Sequence, residues 1–135
     1  LLGSSSLVSE AFTAAIGDGA AAQTYLTTPT LAPAEYPPSA QRVLAQYRKQ
    51  FGGEPGAWAL SGFEAMSVVL DAIRRAGARG NERQAVIDAF FSAGERDSVL
   101  GRYSIEADGE PTFAHYGVDR VSGGRAQFYR AIDVR

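Results

Sequence analysis

The chain has 135 residues, a formal net charge of −2, and 21% charged residues. Because there is no excess of positive charge to neutralise phosphates, this composition argues against a nucleic-acid-binding protein. No apolar run reaches the about 18–20 residues that a membrane-spanning helix needs. The sequence has no cysteine, which excludes disulfide bonds and thiolate chemistry within these residues.

The first third of the chain predicts one short helix and one strand. Residues 7–16 favour a helix that ends at Gly17, with Ser5 or Ser6 as its N-cap. Residues 23–28 are β-prone and stop at Pro29. Four prolines between positions 29 and 38 then predict an extended connector. Both a hinge between domains and a plain surface loop fit that composition.

The middle of the chain predicts three helices. Residues 39–51 place their apolar side chains on one side, and Gly52-Gly53 ends that helix. Residues 61–77 begin with the capping box Ser61…Glu64 and end at Gly77. Met66, Val69, Leu70 and Ile73 follow helical spacing, so they predict the buried face of this helix. A second capping box begins at Asn81, and that helix is expected to turn Val86, Ile87 and Phe90 inward.

The last third changes to strand-forming segments. Residues 103–106, 112–121 and 125–132 favour strands, and Ser122-Gly-Gly124 is typical of a hairpin turn. The chain is therefore rich in helices first and in strands at its end, which predicts an α/β protein with a C-terminal antiparallel hairpin.

No pattern of catalytic residues is visible. His115 is the only histidine, and it has no partner at the spacing that a metal site or a catalytic site requires. Gly3-Ser-Ser-Ser lacks the second glycine of a nucleophile elbow, and there is no phosphate-binding glycine motif. Glu64 and Asp71 are expected on the capping and solvent sides of their helix, not as a convergent pair. We therefore predict no enzyme, no metal site and no cofactor.

Four segments in chain order resemble the C-terminal portion of the branched-chain amino-acid (Leu/Ile/Val-type) substrate-binding proteins of ABC importers, a type I periplasmic-binding-protein family. The matching segments are residues 14–29, 47–55, 61–77 and 100–109. They resemble the family's G-x-A-A-x-G-x-Y-x-x-x-P, Y-x-x-x-F-G-x-x-P, aromatic-acid-Ala helix and G-x-x-G-x-x-x-F-D-x-x-G-D patterns. Gln23 replaces a usual glycine, Ile105-Glu106 replaces Phe-Asp, and Glu110 replaces the final Asp.

The resemblance implies a fold of two lobes, each a parallel sheet flanked by helices, with an antiparallel hairpin at the C-terminus. It places residues 1–28 and about 100–135 in one lobe, residues 39–95 in the other, and residues 29–38 in a connector. The family's proteins are far longer, so the 135 residues read as a C-terminal piece. We expect such a piece to expose apolar surface and to dimerise or exchange elements when it is on its own.

The resemblance also implies a ligand site. Leu1-Leu-Gly-Ser-Ser looks like a strand end that opens onto the ligand cleft, where Ser4 and Ser5 would offer hydroxyls and helix amides to a carboxylate. Simple N-capping by Ser5 or Ser6 is the alternative. Ser5 stands where the family often has an acid, and Phe63 stands where it usually has a tyrosine. These two departures point to an apolar or aromatic carboxylate rather than a zwitterionic amino acid.

Two more aromatic residues complete the candidate site. Trp58 lies where the family places an aromatic wall against the ligand, although a large aromatic residue is also a common core anchor. Tyr25, in the strand before the connector, is a weaker candidate that packing alone would explain.

The implied function is solute capture for an ABC permease, in the periplasm or outside the cell, including as a surface lipoprotein. A small-molecule solute and the permease are the expected partners, and nucleic acid is not. Two alternatives stay open: the ligand-sensing ectodomain of a receptor or regulator, and an interaction module that has kept the fold and lost the ligand.

Overall fold

A computed structural model describes residues 1–113 and 115–133. These residues form two compact units: residues 1–35 with the described residues after 113, and residues 36–113. In chain order the strands and helices are β1 (Leu2–Ser4), α1 (Glu10–Ala15), α2 (Asp18–Ala21), β2 (Tyr25–Thr28), α3 (Pro38–Phe51), α4 (Ala59–Ala76), α5 (Arg83–Phe91), β3 (Arg96–Ser98), β4 (Gly101–Tyr103), β5 (His115–Ser122) and β6 (Arg125–Asp133).

The first unit is built on a four-stranded mixed sheet in the order β1-β2-β5-β6. β1 and β2 are parallel, whereas β2–β5 and β5–β6 are antiparallel. The fully buried side chains of Leu26 and Val121 form its core with Ala21, and residues of α1 pack against them. β1 is therefore an edge strand, and β2 lies between it and the antiparallel hairpin of β5 and β6.

The predicted C-terminal hairpin is present. β5 and β6 pair from Ser122↔Arg125 to His115↔Asp133, with an irregularity between Val118 and Asp119. Gly123 and Gly124 form the turn at φ values of 57° and 72°. Since this region of φ favours glycine, the Gly-Gly pair gives the turn at little steric cost.

The start of the first unit differs from the predicted helix over residues 7–16. Ser5–Leu7 is a short 3₁₀ turn, and α1 begins only at Glu10. The cap is Ser9, whose Oγ accepts a hydrogen bond from the Phe12 amide at 3.3 Å. Neither Ser5 nor Ser6 caps α1, because the chain first turns so that Leu7 packs against the core.

The second unit contains α3, α4, α5 and the short β3–β4 pair. Its apolar core consists of Ala40, Leu44, Leu60 and Val99. α3 matches its predicted range, and Gly52 ends it in the left-handed conformation at φ 70°. The predicted end at Gly52-Gly53 is correct because glycine adopts this conformation at little steric cost.

Both predicted capping boxes are wrong. α4 begins at Ala59 after Trp58, which places Ser61 inside the helix, and no side chain caps it. α5 begins at Arg83, where the N-cap residue Glu82 makes no side-chain cap bond. The Glu64 carboxylate is directed inward to other side chains, so it cannot complete the first box.

The buried face of α4 is also the opposite of the predicted one. Leu60, Glu64, Val68 and Ala72 are buried in the second unit. Met66, Val69, Leu70 and Ile73, the predicted core stripe, are 40–58% exposed. In α5, Ala85 is buried, Val86 and Phe90 are half-buried, and Ile87 is 37% exposed. The four apolar residues do lie on one side of the helix, but no other described residue covers them.

The predicted α/β class is confirmed, with a mixed sheet in the part of the chain that the structure describes. Residues 100–113, which the sequence analysis groups with the C-terminal hairpin, lie in the second unit with α3–α5. They are held there because β4 pairs with β3, and because the buried Tyr103 hydroxyl hydrogen-bonds Glu64 of α4. The assignment of segments to the lobes of a complete binding protein stays a prediction.

Candidate functional site

The first candidate segment lies at the carboxyl end of β1 in the first unit. Ser4 ends the strand and is exposed, and Ser5 follows it and is half-buried. The Ser4 and Ser6 hydroxyl oxygens lie 2.7 Å apart and share a hydrogen bond. Because β1 and β2 are parallel, their carboxyl ends meet at one edge of the sheet, which is where open α/β sheets present ligand-binding groups.

Glycine at position 3 leaves room for side chains to pack closely against β1. A Cβ atom at Gly3 would lie 2.7 Å from Leu7 Cδ1 and 2.9 Å from Leu26 Cδ2. The missing side chain therefore lets Leu7 fold back onto the core. The resulting three-residue 3₁₀ turn is not the α-helix that the sequence analysis expected after Ser4, so no helix dipole develops there. What Ser4 and Ser5 offer a ligand is their hydroxyl and backbone groups.

The carboxyl end of β2 is closed by a buried pair of hydroxyls. Thr28 Oγ1 and Thr30 Oγ1 lie 2.8 Å apart, and the Thr30 amide donates to Thr28 Oγ1 at 3.3 Å. Gly117 faces this pair on β5, and a Cβ there would collide with the Thr30 carbonyl oxygen. The end of β2 is thus closely packed, and its buried hydroxyls satisfy each other.

Tyr25 lies at the other end of the same strand pair. It is the first residue of β2 and pairs with Leu2, whereas Ser4 pairs with Thr27. The Tyr25 ring packs against Tyr129 of β6 with centroids 5.7 Å apart. A surface groove of about 440 Å³ borders Tyr129, but its lining includes none of Ser4, Ser5 and Tyr25. The structure does not bring Tyr25 together with the two serines.

Trp58 and Phe63 lie in the second unit, at the amino end of α4. Trp58 is the N-cap residue, and its carbonyl oxygen accepts a hydrogen bond from the Gly62 amide at 2.9 Å. The two side chains are 58% and 46% exposed. Within this unit both aromatic side chains are therefore available for contact rather than enclosed in the core.

A buried polar cluster, which the sequence analysis did not identify, lies beneath α4. Arg96 Nε donates to Glu64 Oε1 at 3.1 Å, and Arg96 Nη1 donates to Asp71 Oδ2 at 3.2 Å. The Tyr103 hydroxyl donates to the same Glu64 oxygen at 2.9 Å. Glu64 is buried, so the expectation that it lies on a capping or solvent side is wrong.

The electrostatics of this cluster favour charged Arg96 and neutral Tyr103. Burial raises the pKa of Tyr103 to about 12, and its hydrogen bond to Glu64 adds to that effect. Burial acts to lower the pKa of Arg96, but the hydrogen bond and the charge of Glu64 raise it overall.

Glu64 and Asp71 are seven residues apart, two helical turns, and that spacing is the signal that could have revealed their convergence. Asp71 also pairs with Arg74 and Arg75 of its own helix, and the cluster as a whole joins β3 and β4 to α4.

Residues 1–113 and 115–133 contain no group of three or more His, Cys, Asp or Glu side chains that could hold a metal ion. His115 lies at the start of β5, where it pairs with Asp133 across the hairpin. None of the helices in the same described ranges has both the length and the apolar character that a membrane crossing requires.

Comparison with known proteins gives the family. The model of a periplasmic binding protein family matches residues 1–125. The chain therefore belongs to this family of periplasmic binding proteins, and the resemblance that the sequence motifs indicate is confirmed. No curated protein sequence matches the chain significantly.

Solved structures show the same relationship. The chain is similar to a leucine-binding protein from Thermotoga maritima, with 25% identity and a TM-score of 0.73, over 98% of this chain and 37% of that one. A branched-chain amino-acid transporter substrate-binding protein from Streptococcus pneumoniae, in complex with isoleucine, has 17% identity and a TM-score of 0.68. The match covers 98% of this chain and 36% of that one. A solute-binding protein of an ABC transporter from R. palustris, in complex with benzoate, has 16% identity and a TM-score of 0.67. The match covers 93% of this chain and 33% of that one.

These neighbours are substrate-binding proteins of the type I periplasmic-binding-protein fold, and the chain spans about a third of their length. The chain thus corresponds to part of a solute-binding fold.

Proposed function

We propose that this chain is part of an extracytoplasmic solute-binding protein that serves an ABC importer. The observation that carries this proposal is the family match over residues 1–125, together with structural neighbours that are ABC-transporter binding proteins. In such proteins two lobes close around the solute, and a permease distinguishes the closed form from the open one. The chain would make and break no covalent bond, and it would need no cofactor.

The proposed solute is an amino acid or a related small carboxylate, aromatic ones included. Neighbours of this fold have been solved with leucine, isoleucine and benzoate, so the fold accommodates both classes. Ser5 supplies a neutral hydroxyl where an acid would attract an ammonium group, and a neutral hydrogen bond is about half as strong as a charge-assisted one. That substitution favours a solute without an α-ammonium group.

We assign solute contacts in the complete protein to Ser4, Ser5, Trp58 and Phe63. The support is that the serines end a strand at a parallel edge and that both aromatic side chains are exposed within their own unit. Tyr25 is the least supported member of this set, because its ring packs against Tyr129. In this proposal the remaining pocket groups come from polypeptide that these residues do not include.

A thermal-shift screen of the complete gene product against leucine, isoleucine, benzoate and hydroxybenzoates tests the proposed function. A ligand at 100 times its dissociation constant raises the free energy of unfolding by about 2.7 kcal/mol. A shift with benzoates and none with leucine would support the assignment of Ser5. A folded protein with no shift across the panel would favour the interaction module.

Two further candidate roles stay within the same family fold: the ligand-sensing ectodomain of a receptor or regulator, and the interaction module that has lost the ligand. A ligand-sensing ectodomain would bind a solute equally well but would have a signalling module in the same polypeptide instead of a permease partner. Sequencing the complete gene separates these roles, because a lipoprotein signal favours transport and a transmembrane span joined to a kinase favours sensing.

A further inference from the structure

A surface groove of about 440 Å³ lies between α2 and the β5–β6 hairpin, entirely within the first unit. Small-molecule sites typically have volumes of about 300–1,000 Å³, so the groove is large enough for such a ligand. None of the four proposed solute contacts lines it. The lining residues that define its chemistry are Asp18, Arg120, Gln127, Phe128 and Tyr129.

Arg120 is held in a defined position in this groove. It lies on β5, in a row of paired residues that runs from Tyr25 of β2 to Gln127 of β6. Its Nη2 atom donates a hydrogen bond to the Ala22 carbonyl oxygen at 3.1 Å, and the guanidinium makes no other hydrogen bond within residues 1–113 and 115–133. A guanidinium has five N–H donors in a planar fork that matches a carboxylate. The remaining donors of Arg120 are therefore available to a carboxylate in the groove.

Asp18 brings a carboxylate to the same groove from the side of α2. In the part of the chain that the structure describes, Asp18 and Arg120 form no ion pair with each other or with a third residue. An anion and a cation that line one groove without meeting can both be contacted by one ligand. Such a ligand carries a carboxylate for Arg120 and an ammonium group for Asp18, and both hydrogen bonds are charge-assisted.

A β-bulge places an aromatic side chain in the groove. Val118 pairs with Arg130 and Asp119 pairs with Phe128, so Tyr129 is an extra residue on β6. Bulges of this kind redirect side chains and are frequent beside functional sites. Tyr129 is 52% exposed and lines the groove together with Phe128. The two rings give the groove an apolar wall in addition to its charged groups.

We propose that this groove is a second binding site, which takes a small zwitterion with an aromatic side chain, the chemistry of an aromatic α-amino acid. Arg120 binds the carboxylate of the ligand, Asp18 binds its ammonium group, and the rings of Phe128 and Tyr129 contact its side chain. A carboxylate without an amine leaves Asp18 unpaired, and an amine without a carboxylate leaves Arg120 unpaired. The proposal is independent of the solute that the complete protein binds at Ser5.

Isothermal titration of the complete gene product with L-phenylalanine, 3-phenylpropanoate and 2-phenylethylamine tests this proposal. The three probes share a phenyl ring, and the second and third lack the ammonium group and the carboxylate, respectively. The site in question is the one that Arg120→Gln weakens, so a probe that also binds at the proposed solute contacts does not affect the comparison. At this site we expect phenylalanine to bind about tenfold or more tightly than either analogue, because each analogue loses a hydrogen bond between charged groups.

Substitutions locate the site. Arg120→Gln and Asp18→Asn are each expected to weaken phenylalanine binding by about tenfold or more. Arg125→Gln and Glu10→Gln are the matched controls, because both residues are exposed and neither lines the groove. Binding in the groove should persist in Trp58→Ala, whereas binding at the proposed solute contacts should not.

Three results would overturn the proposal. Unchanged phenylalanine affinity in both Arg120→Gln and Asp18→Asn would place the binding of this probe elsewhere. An Arg120-dependent site that binds 3-phenylpropanoate as tightly as phenylalanine would show that Asp18 receives no ammonium group. A folded protein that binds none of the three probes would show that the groove is not a site for this class of ligand. Each result concerns the groove alone, so the proposed function keeps its own test.

Discussion

Arg96 is the residue on which the polar cluster of the second unit depends. Its guanidinium contacts Glu64 at 3.1 Å and Asp71 at 3.2 Å, and its side chain is only 16% exposed. Glu64 is more deeply buried, at 5%. Since an isolated buried carboxylate is strongly unfavourable, the cluster is held together by Arg96 more than by any other member.

Replacing Arg96→Leu is expected to destabilise the chain by about 3–5 kcal/mol, because Glu64 would remain buried without its cation. Urea denaturation measures this loss. Arg102→Leu is the matched control, since Arg102 is 63% exposed in its pairs with Glu95 and Asp97 and solvent screening leaves such surface pairs with little effect on stability. Equal losses for the two variants would contradict the assigned role of the cluster. The double variant Glu64→Leu/Arg96→Leu should recover much of the loss.

The Tyr103 hydroxyl adds a pH dependence to the same cluster. Its pKa is about 12 in the folded chain, against 10.0 as the ordinary value. The folded state therefore holds this proton more tightly than the unfolded state, and the linked stability is complete below pH about 10 and is lost as the pH rises toward about 12.

We expect the urea midpoint to fall between pH 10 and 12, and we expect Tyr103→Phe to reduce this fall. Tyr116→Phe is the control, because Tyr116 is 41% exposed. If both variants followed the pH profile of the unsubstituted chain, the dependence would belong to other groups.

At the scale of elements, α4 shows how a helix pattern can be correct while its buried side is misassigned. Its periodicity, its basic last turn and its end at Gly77 agree with the sequence analysis. The apolar stripe was expected inside, yet this chain buries Val68 at 4% exposure and leaves Val69 at 45%. Which face becomes buried depends on the tertiary structure, because a stripe of apolar residues does not specify which segment covers it.

Val68 and Val69 provide a direct test of this orientation. Val68→Ala should cost about 1.5–2 kcal/mol in the isolated chain, because it removes two buried carbon atoms at about 0.8 kcal/mol each. Val69→Ala should stay within about 0.5 kcal/mol, as exposed substitutions usually do. Chemical denaturation measures the loss of stability in each variant. Helix propensity changes equally in both, because both substitutions are Val→Ala in the same helix, so it drops out of the comparison. A reversed order of the two losses would place the opposite face of α4 inside.

At the scale of the whole molecule, the four proposed solute contacts are far apart in the sequence. Ser4 and Ser5 belong to the first unit, and Trp58 and Phe63 belong to the second. The family match and the neighbours' coverage of about a third support the expectation that the complete protein, and not this chain, has full affinity.

We predict that Trp58→Ala in the complete gene product weakens solute binding by about tenfold or more, since removing a large aromatic contact typically costs more than 1 kcal/mol. Ser5→Ala should cost about 0.5–1.5 kcal/mol for one neutral hydrogen bond. Isothermal titration with the best ligand of the thermal-shift panel measures both. Phe51→Ala is the control, because Phe51 is an exposed aromatic residue at the end of α3. Unchanged affinity in the Trp58 and Ser5 variants would contradict the proposed contacts.

The sequence by itself determined the α/β class, the range of α3, the strand before Pro29, the Gly-Gly hairpin and the family. These features depend on local chemistry, such as the φ freedom of Gly52, Gly123 and Gly124, or on motifs read in order along the chain. Only the tertiary structure decided that Ser9 caps α1, that Glu64 and Asp71 converge on Arg96, and that the apolar stripe of α4 faces outward. Each of those depends on which distant residue arrives at a given face. The spacing of Glu64 and Asp71 places both on one side of α4, but no local pattern shows that Arg96, 32 and 25 residues away, meets them.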